Sequence, residues 1–157
     1  MKPKTLIPDA HRPQLPPPTA TFGIVLSSTP RGARLARLVI AERLADWNVH
    51  RDSNGFNAAI LVVAELAGNA VRHCADAGWD FSVQVSMHPT PSDPVAPATL
   101  RIQVTDACPE RPVRIAPPPP QDSESGRGLS LVIGLAVRWG CLSLDRGTKS
   151  VWADVVL

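Results

Sequence analysis

The sequence predicts an α/β (α+β) two-layer sandwich, with helices on one face of a mostly antiparallel mixed sheet. Three observations predict it. Two segments, "WDFSVQVSM" (79–87) and "TLRIQVTD" (99–106), alternate between apolar and polar residues, as strands buried on one face do. Longer segments carry apolar residues at steps of three and four, the pattern of helices with one buried stripe. The order is strand, helix, helix, two strands, long loop, helix, two strands. Such elements bury their apolar faces best as one helical layer on one sheet.

The elements follow in order. Residues 1–20 are Pro-rich and aperiodic and read as a flexible, extended tail. "TFGIVL" (21–26) reads as a first strand. In the helix that follows, Thr29 suits the cap and Pro30 the first helical position. Leu35, Leu38, Val39 and Ala45 fall on one arc, expected to be the core face, with Arg34 and Arg37 solvated. A second helix runs from about Phe56 to Ala75 and ends near Gly78, with Phe56, Ile60, Val63, Ala67, Ala70 and Cys74 facing the core. The two alternating strands read as an antiparallel pair. Residues 107–127 carry six Pro and no periodicity, and a loop of that length in a compact domain is often functional. "GLSLVIGLAVRW" reads as a third helix running into Gly140. "CLSLDRGTKSVWADVVL" closes the chain as a hairpin, with Val151, Ala153, Val155 and Leu157 on one face and Arg146-Gly147 at the turn.

Composition narrows the function. The chain has 157 residues, enough for one domain with a real core, at 44% hydrophobic and 19% charged. A net charge of +2 is too small to argue for a nucleic-acid partner. The three cysteines, Cys74, Cys108 and Cys141, are odd in number and unclustered, which argues against a disulfide framework and for a reducing cytosol. No Cys-x-x-Cys or His-x-x-x-His spacing supports zinc beside His73 and Cys74. The N-terminus lacks the apolar core of a signal peptide, and the apolar runs "AAILVVA" and "LSLVIGLAV" are too short to span a bilayer. A soluble, cytoplasmic protein that engages no membrane is expected.

Three separated pieces read as one site. In "AELAGNAVRH" (64–73), Glu65, Asn69 and His73 recur every four residues in an otherwise apolar helix, so they share a face. A carboxylate there is costly unless it is paired or has a task. In "VTDACPERP", Asp106 ends a strand just before the long loop. In "SGRGLSLV", Gly126 and Gly128 flank Arg127 where a helix opens. Glycines allow close backbone approach, and a helix N-terminus offers N–H groups to phosphate. An Asn oxygen is a hard ligand for Mg²⁺. A carboxylate at a strand end can accept from an exocyclic amine such as adenine's. Glu65, one turn from Asn69, can take a proton from a nucleophile. Each residue also has a plainer reading. Glu65 can pair with Arg72 or Arg127, Asn69 can satisfy a backbone group, Asp106 can cap a turn, and His73 can be structural.

Taken together, these motifs resemble the GHKL-type (Bergerat) ATP-binding fold, shared by gyrase, histidine kinases and MutL. Within it the chain is most similar to stand-alone anti-sigma-factor serine/threonine kinases, and particularly to the short ATP-binding regulators of streptomycetes and other actinobacteria. The resemblance covers about residues 21–157: "AELAGNAVRH" matches the N box, "VTDACPERP" and "ESGRGLSLVIGLAVRWG" the two Gly boxes, and "SVWADV" the closing strand. It implies ATP and Mg²⁺ as cofactors. It implies Glu65 as general base, Asn69 as Mg²⁺ ligand and Asp106 as the adenine-reading carboxylate. It places His73, Gly126, Arg127, Gly128 and Leu129 at the nucleotide, and residues 107–127 as the ATP lid. It assigns the hydroxyl near adenine to Ser150, with Thr148 as second candidate.

One departure stands out. Asp106 is followed by Ala107-Cys108-Pro109 where the wider fold has Asp-x-Gly-x-Gly. Two functions therefore compete. As an enzyme, the protein would phosphorylate an anti-sigma-factor antagonist, hold a sigma factor and form a homodimer, as the resemblance implies. As a binding module of the same fold, it would regulate a partner by contact alone. A retained Glu65 favours the first reading, and the missing glycines favour the second.

Overall fold

The computed structural model describes residues 12–74, 78–106, 127–143 and 148–157. Five strands form one sheet in the order β1-β2-β3-β5-β4: β1 (Ala20–Ser27), β2 (Asp80–His88), β3 (Thr99–Asp106), β4 (Arg138–Ser143) and β5 (Lys149–Val156). Every pairing is antiparallel, so the expected mixed character is absent among the described strands. Helices α1 (Pro30–Asp46), α2 (Asn54–Cys74) and α3 (Arg127–Leu135) complete the second layer.

The register explains the two faces. Val83, Val85, Leu100, Ile102, Val104, Ala153 and Val155 share one side of the sheet and are buried with Val62, Val63, Leu66 and Ala67 of α2. The alternation read in β2 and β3 holds, except that Trp79 lies before β2 and is 56% exposed. The first helix starts as expected: the Thr29 side chain accepts from Gly32 N–H, and Pro30 opens the first turn. Gly32 is required there, because a Cβ would lie 1.9 Å from the Ser27 carbonyl oxygen. The core face of α1 differs from the expected one. Gly32, Ala36, Ile40 and Leu44 are buried, whereas Leu35 and Leu38 are exposed. The stripe keeps a strict step of four, from the small Gly32 and Ala36 to Ile40 and Leu44, and lies one position along from the arc through Leu35 and Val39.

The end of the chain also departs from expectation. The third helix stops at Leu135, and Arg138 to Ser143 form strand β4. Trp139 is fully buried from that strand, so "VRWGC" pairs with β5 instead of extending the helix. The expected Arg146-Gly147 turn lies outside the described residues. Gly78, at a positive φ of 64°, follows α2 in the left-handed conformation that glycine adopts without penalty.

Residues 12–18 belong to no helix or strand, and contacts hold them against the sheet. Arg101 Nη2 donates to the Pro13 carbonyl (3.2 Å), and the His88 ring bonds the Pro16 carbonyl (2.7 Å). Arg12 lies over the Trp152 ring and donates to Gln103. This segment covers the sheet face that the helices leave open. Cys74 is disulfide-bonded and Cys141 is in no disulfide, against the expectation of no bridge. Linear spacing does not report which cysteines folding brings together, so the cysteine count is no argument for a reducing compartment. Among the described helices only α2 is long and apolar enough to cross a membrane, and half of its apolar window is buried in this core.

Candidate functional site

The polar stripe of α2 lies where its spacing places it. Glu65 and Asn69 are half-buried along one edge of the helix, next to the buried Leu66 and Ala70. Glu65 has no ion pair or hydrogen bond among the described residues. One of its two plainer partners, Arg72, is engaged elsewhere: its Nη2 donates to Asn69 Oδ1 and curls over Gly68. The side chain of the other, Arg127, is outside the described residues. The oxygen expected to hold Mg²⁺ thus already accepts from a neighbouring guanidinium. His73 completes the stripe at the solvent edge.

Asp106 stands at the end of β3, 5% exposed, in register with Phe81 and Lys149. Its parity with Leu100, Ile102 and Val104 turns it towards the helices. Lys149 Nζ lies 3.9 Å from Asp106 Oδ2 and 3.2 Å from His73 Nδ1. An ammonium has only donors, so His73 Nδ1 is the acceptor of that bond. The stripe of α2 and the strand-end carboxylate therefore meet through one lysine.

Ser150 does not join this cluster. It is paired with Thr105, bonds the Thr105 hydroxyl and accepts from Gln103 Nε2, all on the sheet face away from the helices. A hydroxyl there cannot share a ligand with Asp106, because neighbouring strand residues point to opposite faces. Lys149, one residue earlier in β5, is the residue that lies beside Asp106. The parity of Val151, Ala153 and Val155 already put Lys149 on the inner side, and that signal could have found it. Thr148 is half-buried just before β5.

The Gly-rich turn is only partly described. α3 begins at Arg127 with Gly128 in its first turn. Leu129 packs against the core, which gives it a structural role. Gly126 and the rest of the expected lid, residues 107–126, lie outside the described residues.

The donor set suits magnesium and a purine nucleotide. Magnesium takes one or two hard protein oxygens and otherwise water and phosphate. Asn69 offers such an oxygen, with the Glu65 carboxylate one turn away. Among the described residues no cluster of His, Cys, Asp and Glu forms a protein-only metal cage. The model for the histidine kinase-like ATPase domain matches residues 26–151, which run from the end of β1 through α1, α2, β2, β3, α3 and β4 into the start of β5. The chain belongs to that family. As a histidine kinase-like ATPase domain it implies ATP binding, generally with Mg²⁺, and a kinase-like ATPase in a regulatory setting. No curated protein matches the chain.

Proposed function

We propose that the protein is a Mg-ATP-dependent serine/threonine protein kinase that acts as an anti-sigma factor by phosphorylating an anti-sigma-factor antagonist. The observation that carries this reading is Glu65. It is a half-buried carboxylate with no pairing partner among the described residues, one helical turn from Asn69. Nucleotide binding alone does not need a base there.

Bound Mg-ATP supplies the γ-phosphoryl group and neutralises its charge. Asn69 would hold the metal in place of its bond to Arg72, and Asp106 would accept from the adenine amine. Glu65 takes the proton of the acceptor hydroxyl as its oxygen bonds to phosphorus and ADP leaves. Partner exchange between the antagonist and a sigma factor, a homodimer and a cytoplasmic location belong to the same reading.

A second reading has one observation in its favour. Asn69 is engaged by Arg72 and Asp106 by Lys149, so a nucleotide must compete with the chain's own cations. A contact-only regulator of the same fold fits that.

Glu65→Gln separates the two. Loss of a general base costs a factor of about 10² to 10⁴ in rate, with little change in ATP affinity. Single-turnover phosphorylation of an antagonist protein by the Glu65→Gln variant is expected to fall by that factor while Mg-ATP still binds. Equal rates in variant and wild type would remove Glu65 from the chemistry. An absence of transfer by the wild type to any antagonist, with ATP bound, would favour the contact-only regulator.

A further inference from the structure

We infer that Lys149 is a base-reading residue of the nucleotide site, which donates from Nζ to a ring nitrogen of the purine while Asp106 accepts from its exocyclic amine. The inference rests on the nucleotide-binding reading above and adds a specificity residue that neither the motifs nor the resemblance supplied.

The geometry carries it. Lys149 and Asp106 are opposite partners in the β3–β5 ladder, and both are over nine-tenths buried. Their charged groups stand 3.9 Å apart, beyond hydrogen-bond distance. A carboxylate and an ammonium side by side present one acceptor and one donor. The adenine edge presents the complement, an amine N–H beside the unprotonated N1. The pair therefore matches a base edge that neither residue matches alone. His73 makes the arrangement stable without a ligand, because its Nδ1 accepts from the same ammonium at 3.2 Å. Lysine has three donors, so one can stay on His73 while another turns to the base. Ser150 cannot make this contact, since its hydroxyl is committed on the other face of the sheet.

A purely structural ion pair would also place Lys149 beside Asp106, and base analogues distinguish the two. The wild type should bind Mg-ATP about tenfold more tightly than Mg-1-deaza-ATP, in which a C–H replaces N1, as expected for a lost hydrogen bond to a charged donor. In Lys149→Met that preference should disappear, and ATP affinity should fall to the level of the analogue. The 6-amine should still be read: purine riboside triphosphate, which lacks it, should bind Lys149→Met more weakly than ATP does. Should Lys149→Met fail to fold, Lys149→Gln retains an amide donor and should keep a reduced preference for N1. The comparison of ATP with 1-deaza-ATP on the unaltered protein needs no variant. Equal affinity of the wild type for the two nucleotides overturns the inference while leaving ATP binding intact. So does a Lys149→Met protein that binds ATP as tightly as the wild type or more so, since Lys149 would then be a plug. Failure of the wild type to bind any of these nucleotides at millimolar concentration overturns the nucleotide reading itself, and this inference with it.

Discussion

The sheet carries a buried carboxylate on each face, and the two are held differently. On the outer face Asp154 is fully buried and accepts from Arg101 Nε (2.7 Å) and Nη2 (2.8 Å), with Arg138 Nη2 at 3.1 Å. Arg101 in turn stacks on Trp152, 4.9 Å from the ring centre, and donates to the Pro13 carbonyl. On the helix side Asp106 has Lys149 at 3.9 Å, and that ammonium also serves His73. A guanidinium fork fixes a carboxylate in one plane with two charge-assisted bonds. A lysine is a point charge on a flexible stem and can divide its donors among several acceptors. The first arrangement suits architecture, and the second suits a ligand that must compete for the same groups.

The largest effect expected from this contrast is on stability. Asp154→Ala leaves the buried Arg101 guanidinium uncompensated, and breaking a buried pair from one side typically costs about 3–5 kcal/mol. Urea denaturation should show a midpoint lowered accordingly. Nucleotide affinity of the remaining folded protein should be unchanged, because the pair lies across the sheet from the site. A loss below about 1 kcal/mol would mean that the fork is not what holds the outer face together.

Asp106→Asn should behave in the opposite way. An amide keeps the size and one acceptor but adds two donors, which face the adenine amine and the Lys149 ammonium poorly. Discrimination of ATP from purine riboside triphosphate should fall by roughly tenfold, the scale of one hydrogen bond to a charged group. Stability should change by less than the Asp154 variant changes it. If both variants unfold at the same urea concentration, the two carboxylates are equally structural and the contrast is lost.

The contrast also marks what the sequence made legible. Strands β2 and β3, the long helix α2 and the shared face of Glu65, Asn69 and His73 were readable because period and burial agree in them. So was Asp106, whose parity with Leu100, Ile102 and Val104 follows from an unbroken alternation. Three features were not readable, each for a physical reason. The inner stripe of α1 runs through Gly32 and Ala36, whose small side chains carry little hydrophobic signal. Strand β4 hid inside an apolar run whose helical and strand patterns overlap, and only pairing with β5 decides between them. The Lys149–His73 bond joins residues 76 apart in sequence and is a tertiary fact that no spacing rule contains, whereas the Arg72–Asn69 bond is an i, i+3 pair that helical spacing permits and that a reading of Arg72 as the partner of Glu65 passed over.

The smallest expected effect sharpens the outer face. Arg12 lies 5.6 Å from the centre of the Trp152 ring, and its Nη2 donates to Gln103 Oε1 at 3.0 Å. Arg101 approaches the same ring at 4.9 Å and carries the Asp154 fork. The two arginines thus share one aromatic ring, but only Arg101 neutralises a buried charge. Arg12→Ala removes a cation–π contact and a side-chain hydrogen bond at a half-buried position, each worth about 0.5–1.5 kcal/mol. Ordering the extended segment offsets part of that gain, since fixing each backbone residue costs about 1–2 kcal/mol. The net loss in global stability should therefore be at most about 1 kcal/mol, well below that of Asp154→Ala. The local effect should be clearer than the global one. Proteolysis between Arg12 and Ala20 should accelerate in the variant, because losing the Arg12 contacts lets the segment lift while the sheet beneath it stays folded. Unchanged proteolysis would show that the carbonyl contacts of Pro13 and Pro16 hold the segment without Arg12. A stability loss as large as that of Asp154→Ala would show that the covering segment, and not the fork, is the architectural element of the outer face.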